Sequence, residues 1–251
     1  MDFQNAKYPF PHICFKQIDS TNKYLLDNLS KISPLHGFMA ISDFQTEGRG
    51  QYGRTWESES GKNILCSIAL DCSFLPLDKI FGLHLIASLS VRDLISKYSS
   101  NVSIKWPNDI YIKDRKVAGI LVENTMRKNA LQWTVIGTGI NVFQDQFSKN
   151  LQACCMQKNT NSILELDYLV FELHQQILSN YEKLLMGQFK RLLEEYNECL
   201  FRRFQRVNLL DKSSETVTGI VQGVDGDGKM LLQVGDSVFR LNYGDYTWKL
   251  I

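Results

Sequence analysis

Two apolar rhythms alternate along the chain, and the places where one gives way to the other mark its elements. His12 to Ile18 reads as a strand, and Asp19-Ser20-Thr21-Asn22 then opens a helix through about Leu29. Hydroxyl and amide side chains sit there where they can cap the first free N–H groups. Phe38 to Ser42 is a second short strand, and Asn63 to Leu70 is nearly continuous in apolar residues, as in a sheet covered on at least one face. Ile80, Leu83, Ala87, Val91, Leu94 and Ile95 fall at helical spacing and predict a long helix from Leu77 to Tyr98 backing the sheet. Val102 to Trp106 begins a strand that Pro107-Asn108-Asp109 stops. A meander follows: Ile110 to Ile112, Lys116 to Asn124, a hairpin at Met126 to Asn129, then Leu131 to Val142.

Asp167 to Leu185 and Gln188 to Phe204 read as two amphipathic helices split at Gly187. The first carries a stripe of Leu169, Val170, Leu173, Ile177, Tyr181 and Leu184, the second one of Phe189, Leu192, Leu193, Tyr196 and Leu200. After Phe204 come short strands and tight turns, namely Thr216 to Val224, Met230 to Val234, Val238 to Leu241 and Tyr246 to Leu250. A small antiparallel barrel is the expected outcome. Asp225-Gly226-Asp227-Gly228 lacks the spaced ligands of a calcium loop and reads as a hairpin turn. The expected class is α/β (α+β), a mixed sheet backed by helices over residues 1–204, with the small all-β unit over 205–251.

Composition narrows the function. With 251 residues and 44% hydrophobic content the chain can bury a full core. Its 28 Lys and Arg against 27 Asp and Glu leave no basic block to argue for nucleic acid. The stretch Met1 to Phe10 has no secretory pattern, and no window is long and apolar enough for a membrane helix. The 6 cysteines form no CxxC pair and the 4 histidines are scattered, which favours reduced packing thiols in a cytoplasmic protein over zinc or disulfides.

The chemistry gathers first in Gly48-Arg49-Gly50-Gln51-Tyr52-Gly53-Arg54-Thr55-Trp56. Glycines permit close backbone approach, the two guanidiniums match phosphate or carboxylate oxygens, and the indole offers a flat face for a base. The spacing also fits a dinucleotide fingerprint, but that turn must run into a helix, and Arg54 to Gly61 has no apolar helical period. A kinase loop fails because no HRD or DFG follows. Few apolar groups pin the loop, and ordering costs about 1–2 kcal/mol per backbone residue, so a ligand is expected to order it. The second group is Lys105-Trp106-Pro107-Asn108-Asp109 with Lys116-Val117-Ala118-Gly119-Ile120-Leu121. A lysine in an apolar strand is costly to bury without an anion, and these two can face a common one. Either alone reads as a solvated lysine on a sheet face.

These two stretches and Gly137-Thr138-Gly139-Ile140-Asn141, in this order and separation, resemble the biotin–protein ligases. The resemblance runs from Ser20-Thr21-Asn22 to the C-terminal unit, which it implies is an SH3-like barrel. It implies an enzyme that joins biotin to ATP as biotinyl-5′-AMP, with Mg²⁺, and then transfers biotin to a lysine of a biotin carboxyl carrier protein. On this resemblance Arg49, Arg54, Lys105 and Lys116 are the catalytic cations. Ser20, Thr21, Asn22 and Gln45 serve the ureido ring, Gly119 and Leu121 border the tail, and Trp56 stacks on adenine. Asn108 and Asn141 face the nucleotide, and Gly48, Gly50, Gln51 and Gly53 shape the loop around it. The position after Gly50 is often arginine in this family and is Gln51 here, which predicts a looser grip on the adenylate. With the first family motif at Ser20, no room is left for a DNA-binding winged helix, so no DNA partner is expected. A homodimer through the sheet is a common form of the family, but no self-complementary edge is legible. The alternatives are a lipoate or octanoate ligase or transferase, and an adenylate-binding module without turnover.

Overall fold

The computed structural model describes residues 7–33, 35–148 and 151–249. Its centre is a seven-stranded mixed sheet in the order β1-β2-β3-β7-β6-β5-β4. The strands are β1 (His12–Phe15), β2 (Met39–Ser42), β3 (Asn63–Asp71), β4 (Val102–Lys105), β5 (Asp109–Ile112), β6 (Arg115–Arg127) and β7 (Ala130–Asn141). β1 and β2 run parallel, and every other neighbouring pair in this sheet is antiparallel.

Strand alternation divides this sheet between two jobs. Ile64, Cys66, Ile68 and Leu70 of β3 and Ile136 and Ile140 of β7 enter the main core. That core is completed by α2 (Gly82–Ser96), α3 (Leu166–Leu185) and α4 (Phe189–Glu198). All six residues of the predicted stripe on α3 are buried. On the opposite face, Ala69 and Val135 pack with Leu25 of α1 (Thr21–Asn28) in a smaller cluster that covers only one end. Beyond it Gly119, Gly137 and Gly139 leave the sheet face open, and the candidate site lies there.

Three expected boundaries move. The long helix begins at Gly82 instead of Leu77, after a 3₁₀ turn at Leu77–Lys79 in which Leu77 stays 46% exposed. Gly82 lies where a Cβ would press on Leu184, so the helix starts at its closest approach to α3. α4 ends at Glu198, well short of Phe204, because Leu200 leaves the helix to bridge Ile104 beside β4 and Arg202 and Phe204 take left-handed φ values. The meander hairpin is tighter than expected, with Lys128 and Asn129 alone at positive φ between β6 and β7.

The C-terminal sheet is β8 (Arg206–Asp211), β9 (Thr216–Val224), β10 (Met230–Val234), β11 (Ser237–Leu241) and β12 (Tyr246–Trp248), antiparallel in the order β11-β10-β9-β8-β12. β8 was not expected, since its Arg206-Val-Asn-Leu-Leu-Asp run is short and follows a predicted helix directly. Leu250, the expected end of the last strand, lies outside the described residues. The acidic hairpin at 225–228 is a turn in which Arg240 pairs with Asp225 and Asp227 at 2.6 and 2.5 Å. Val207, Leu209, Val221, Met230 and Leu232 belong to the same apolar cluster as the large sheet. Trp106 donates its indole N–H to the Gly228 carbonyl at 2.9 Å, fixing this unit at the exit of β4.

Candidate active site

A cleft of about 470 Å³ opens on the uncovered face of the large sheet. Its floor is made by glycine. Gly119 of β6 and Gly139 of β7 are register partners, and the indole of Trp56 lies over both, so that a Cβ at either position would run into the ring. Gly137 is bare for a similar reason, since a Cβ there would meet the amide of Asn22.

The loop above the floor is a small hairpin. Gly50 N–H donates to Arg54 O at 2.7 Å and Trp56 N–H to Gly48 O at 2.9 Å, with a bridge between Arg49 and Thr55. Gly48 permits this self-approach, because a Cβ would press on the Trp56 carbonyl, and Gly53 turns the tip at φ +73°. Neither is among the residues that line the cleft, and both act on the shape of the loop above it.

A buried polar chain runs along one wall. The side-chain oxygen of Gln45 accepts from the Thr21 backbone N–H at 2.7 Å and from its hydroxyl at 3.1 Å. Thr21 Oγ1 meets Ser67 Oγ at 2.7 Å, Ser67 donates to Asn22 Oδ1 at 2.5 Å, and Asn22 donates to Glu123 Oε2 at 2.8 Å. Glu123 in turn pairs with Arg49 at 2.8 Å. Ser20 caps α1 through Lys23 N–H, as its position in the sequence implies. These contacts hold the α1 N-terminus against the sheet and fix donors and acceptors at the cleft wall before any ligand arrives.

The cations converge from separate elements. Lys116 Nζ pairs with Asp109 Oδ1 at 2.7 Å and stands 5.4 Å from the Trp56 ring centroid. It reaches the cleft because a bulge interrupts the β5–β6 register between Ile110 and Tyr111. Val117 and Ala118 both enter the core, and the phase shifts by one residue, bringing Lys116 alongside Gly119. Lys105 donates to the Tyr111 hydroxyl at 2.9 Å and lies 5.8 Å from the Trp248 ring centroid. Burial lowers its pKa to about 8; Asp109 opposes this, and the positive charges of Lys116, Arg54 and Arg202 reinforce it. Arg54 lines the same cleft.

Several buried polar atoms of the lining have no partner among the described residues: Gln51 Oε1, Trp56 Nε1, Thr138 Oγ1 and Asn141 Oδ1. Each orphan carries a desolvation penalty of about 1–3 kcal/mol that a polar ligand can relieve. Asn108 donates to the Ile120 carbonyl and Asn141 to the Cys154 carbonyl at 3.2 Å, so both amides also tie loops to the sheet.

Of the residues singled out from sequence, Ser20, Thr21, Asn22, Gln45, Arg49, Gly50, Gln51, Arg54, Trp56, Lys105, Asn108, Lys116, Gly119, Leu121 and Asn141 all line this one cleft. Sequence reasoning missed Ser67, Glu123, Asp109 and the C-terminal residues Tyr243 and Trp248. Asp109 ends the Lys105 stretch and Glu123 lies two residues beyond the Lys116 stretch, and an acid close to each lysine stretch was the available signal. Tyr243 and Trp248 gave none, since only folding brings them to the cleft.

The chain matches the biotin/lipoate A/B protein ligase family over residues 14–141 and the biotin protein ligase C terminal domain over residues 204–245. It is 32% identical to the bifunctional ligase/repressor BirA of Escherichia coli over 225 residues, covering 86% of this chain and 67% of that protein. It is 27% identical to the biotin–[acetyl-CoA-carboxylase] ligase of Mycobacterium tuberculosis, covering 91% of this chain and 85% of that one. Among solved structures, the biotin protein ligase of Aquifex aeolicus in complex with biotin and ATP superposes with a TM-score of 0.79 at 25% identity, covering 95% of this chain and 98% of that one.

Proposed function

The chain belongs to the biotin/lipoate A/B protein ligase family, and from that premise we propose that it is an ATP-dependent ligase that adenylates biotin and passes it to a lysine of a biotin carboxyl carrier protein. The observation that carries this reading is the convergence of Arg49, Arg54, Lys105 and Lys116 on a cleft of about 470 Å³, a size within the range of small-molecule sites, roughly 300–1,000 Å³. The cleft also has a glycine floor and a prepared polar wall.

In the first step a carboxylate oxygen of biotin attacks the α-phosphorus of ATP, and the bond to the β-phosphate oxygen breaks, releasing pyrophosphate. Two anions must approach, so fixed cations lower the barrier. Lys116 and Arg49 are held by Asp109 and Glu123, and in this reading the ligand's carboxylate and phosphate take over part of those pairings. The polar run from Gln45 to Asn22 receives the ureido ring, whose N–H and C=O groups need both acceptors and donors. Trp56 presents its free face to adenine, a contact worth about 1–3 kcal/mol in related base stacking. In the second step the carrier amine attacks the acyl carbon, AMP leaves, and the amine gives up a proton. Mg²⁺ is assigned to the nucleotide: among the described residues no three His, Cys, Asp or Glu side chains gather as a metal site, and Mg²⁺ at such sites takes phosphate and water oxygens.

We assign residues 1–204 to the catalytic unit and 205–251 to the SH3-like unit, and we place the protein in the cytoplasm. The near balance of 28 basic and 27 acidic residues favours a protein partner over DNA, and no helix among the described residues is long and apolar enough to cross a membrane. The test is ATP–pyrophosphate exchange with and without biotin, then labelling of an apo carrier domain. Exchange that depends on biotin and falls about 10²–10³-fold in Arg49→Ala and Lys116→Ala is expected. Exchange that responds to lipoate and not to biotin overturns the substrate; binding without any exchange overturns the enzyme.

A further inference from the structure

The glycine loop is fastened at its base by Trp56 on the glycine floor and by the Arg49–Glu123 pair. Its tip is held elsewhere. The 3₁₀ turn Gln51–Gly53 places Tyr52 at φ 54°, and the side chain reaches the turn before β12. Its hydroxyl donates to the Tyr243 carbonyl at 3.2 Å, and the two rings lie 5.2 Å apart. The next residue, Gly244 at φ +89°, leaves the space the hydroxyl occupies, because a Cβ there would come within 2.9 Å of it. Tyr243 in turn meets Trp106 edge to face at 5.5 Å, directly after Lys105, and Lys212 pairs with Asp245 at 2.7 Å to brace the turn that carries it.

A left-handed tyrosine that is 71% exposed gains little from its own burial. What the conformation does achieve is to aim the ring at the C-terminal turn. We propose that Tyr52 is a positioning residue that latches the loop over the cleft by docking on the Tyr243-Gly244 turn, so that the C-terminal sheet controls how long the activated intermediate is held. The proposal deepens the ligase reading and rests on it for the identity of the intermediate, but the latch itself is a contact within the protein. It also gives the C-terminal unit a function between the two half-reactions, in retaining the intermediate once it has formed. The loop grips its ligand with two guanidiniums and an uncharged Gln51, and a mechanical hold at the next residue adds to them.

The test uses the full chain with Tyr52→Phe and Tyr52→Ala. Both variants should unfold as the parent does, since the side chain is mostly in solvent. Tryptic cleavage after Arg49 and Arg54, followed by mass spectrometry without ligand, reads the fraction of open loop. Losing the hydrogen bond should speed cleavage about threefold in Tyr52→Phe, and losing the ring as well about tenfold in Tyr52→Ala. Release of biotinyl-5′-AMP should rise in the same order, while ATP–pyrophosphate exchange at saturating substrates stays within about twofold, a split that a general loss of structure would not give. Cleavage at the parent rate in Tyr52→Ala overturns the latch, and so does faster cleavage with unchanged release. Should the parent form no adenylate, the ligase reading fails, and the cleavage rates still decide whether the loop is latched.

Discussion

Replacing Gly139 by alanine tests the architecture of the cleft most directly. The position pairs with Gly119 in the sheet, and the Trp56 indole lies across both, so an added methyl occupies space that the ring now fills. β-strand backbone accepts alanine without strain, and the neighbouring strands β3 and β6 need not move. The side chain that gives way is the half-buried Trp56, at the end of a loop. Overpacking of this kind costs about 1–3 kcal/mol, and here it falls on the closed loop instead of on the core. Global stability should therefore change little, while affinity for a non-hydrolysable biotinyl adenylate analogue falls about 5–150-fold, the same energy expressed as an equilibrium. Titration calorimetry on the parent, Gly139→Ala, Trp56→Ala and the double variant closes a thermodynamic cycle. Once Trp56 is removed, the methyl has nothing to displace, so the two losses should be strongly non-additive, with coupling of about 0.5–3 kcal/mol. Additive losses, or an unchanged affinity in Gly139→Ala, would show that the indole does not use the glycine floor when ligand is bound.

Three further outcomes follow from individual contacts. Asp109→Asn removes the carboxylate paired with Lys116 at 2.7 Å; the pair is partly exposed, so anionic ligand affinity should rise only a few-fold, about 2–5, and a drop on calorimetric titration would assign Asp109 to ligand binding instead. Lys105, whose pKa burial lowers to about 8, is protonated below that value and attracts an anionic adenylate, whereas free lysine in the unfolded chain titrates much higher. Its protonated form therefore costs the folded protein stability below about pH 8, a cost that disappears as pH rises, and ligand affinity should be flat below pH 8 and fall above it, by up to about tenfold per unit; Lys105→Met should flatten that profile. Gln51→Arg introduces a cation where Gln51 Oε1 has no partner among the described residues, and should slow adenylate release about tenfold, the lower end of a charge-assisted bond's range; release as fast as from the parent removes Gln51 as the cause of leakage.

Much of this protein can be read from its order of residues. Apolar runs bounded by turn residues placed the strands of the large sheet, and helical phase placed the stripe on α3, because burial follows locally from the pattern of apolar positions. Ser20 announces the helix start through a local hydrogen bond, and the glycine-arginine loop and paired lysines announce an anion because few other sites need that chemistry so close together. What the sequence does not contain is the phase shift at Lys116-Val117, where a bulge against β5 transfers the lysine from the core side to the cleft side. Nor does it contain the partnership of Gly139 with Trp56, the Ser67–Asn22–Glu123 chain, or Tyr52 resting on Tyr243, since each joins residues far apart in the chain whose meeting depends on how strands register and sheets pack. Local hydrogen bonds and periodic burial decide which elements form, and are legible one segment at a time. The cleft's floor, its cation geometry and its latch are set by contacts between segments, and only the closed tertiary structure brings those together.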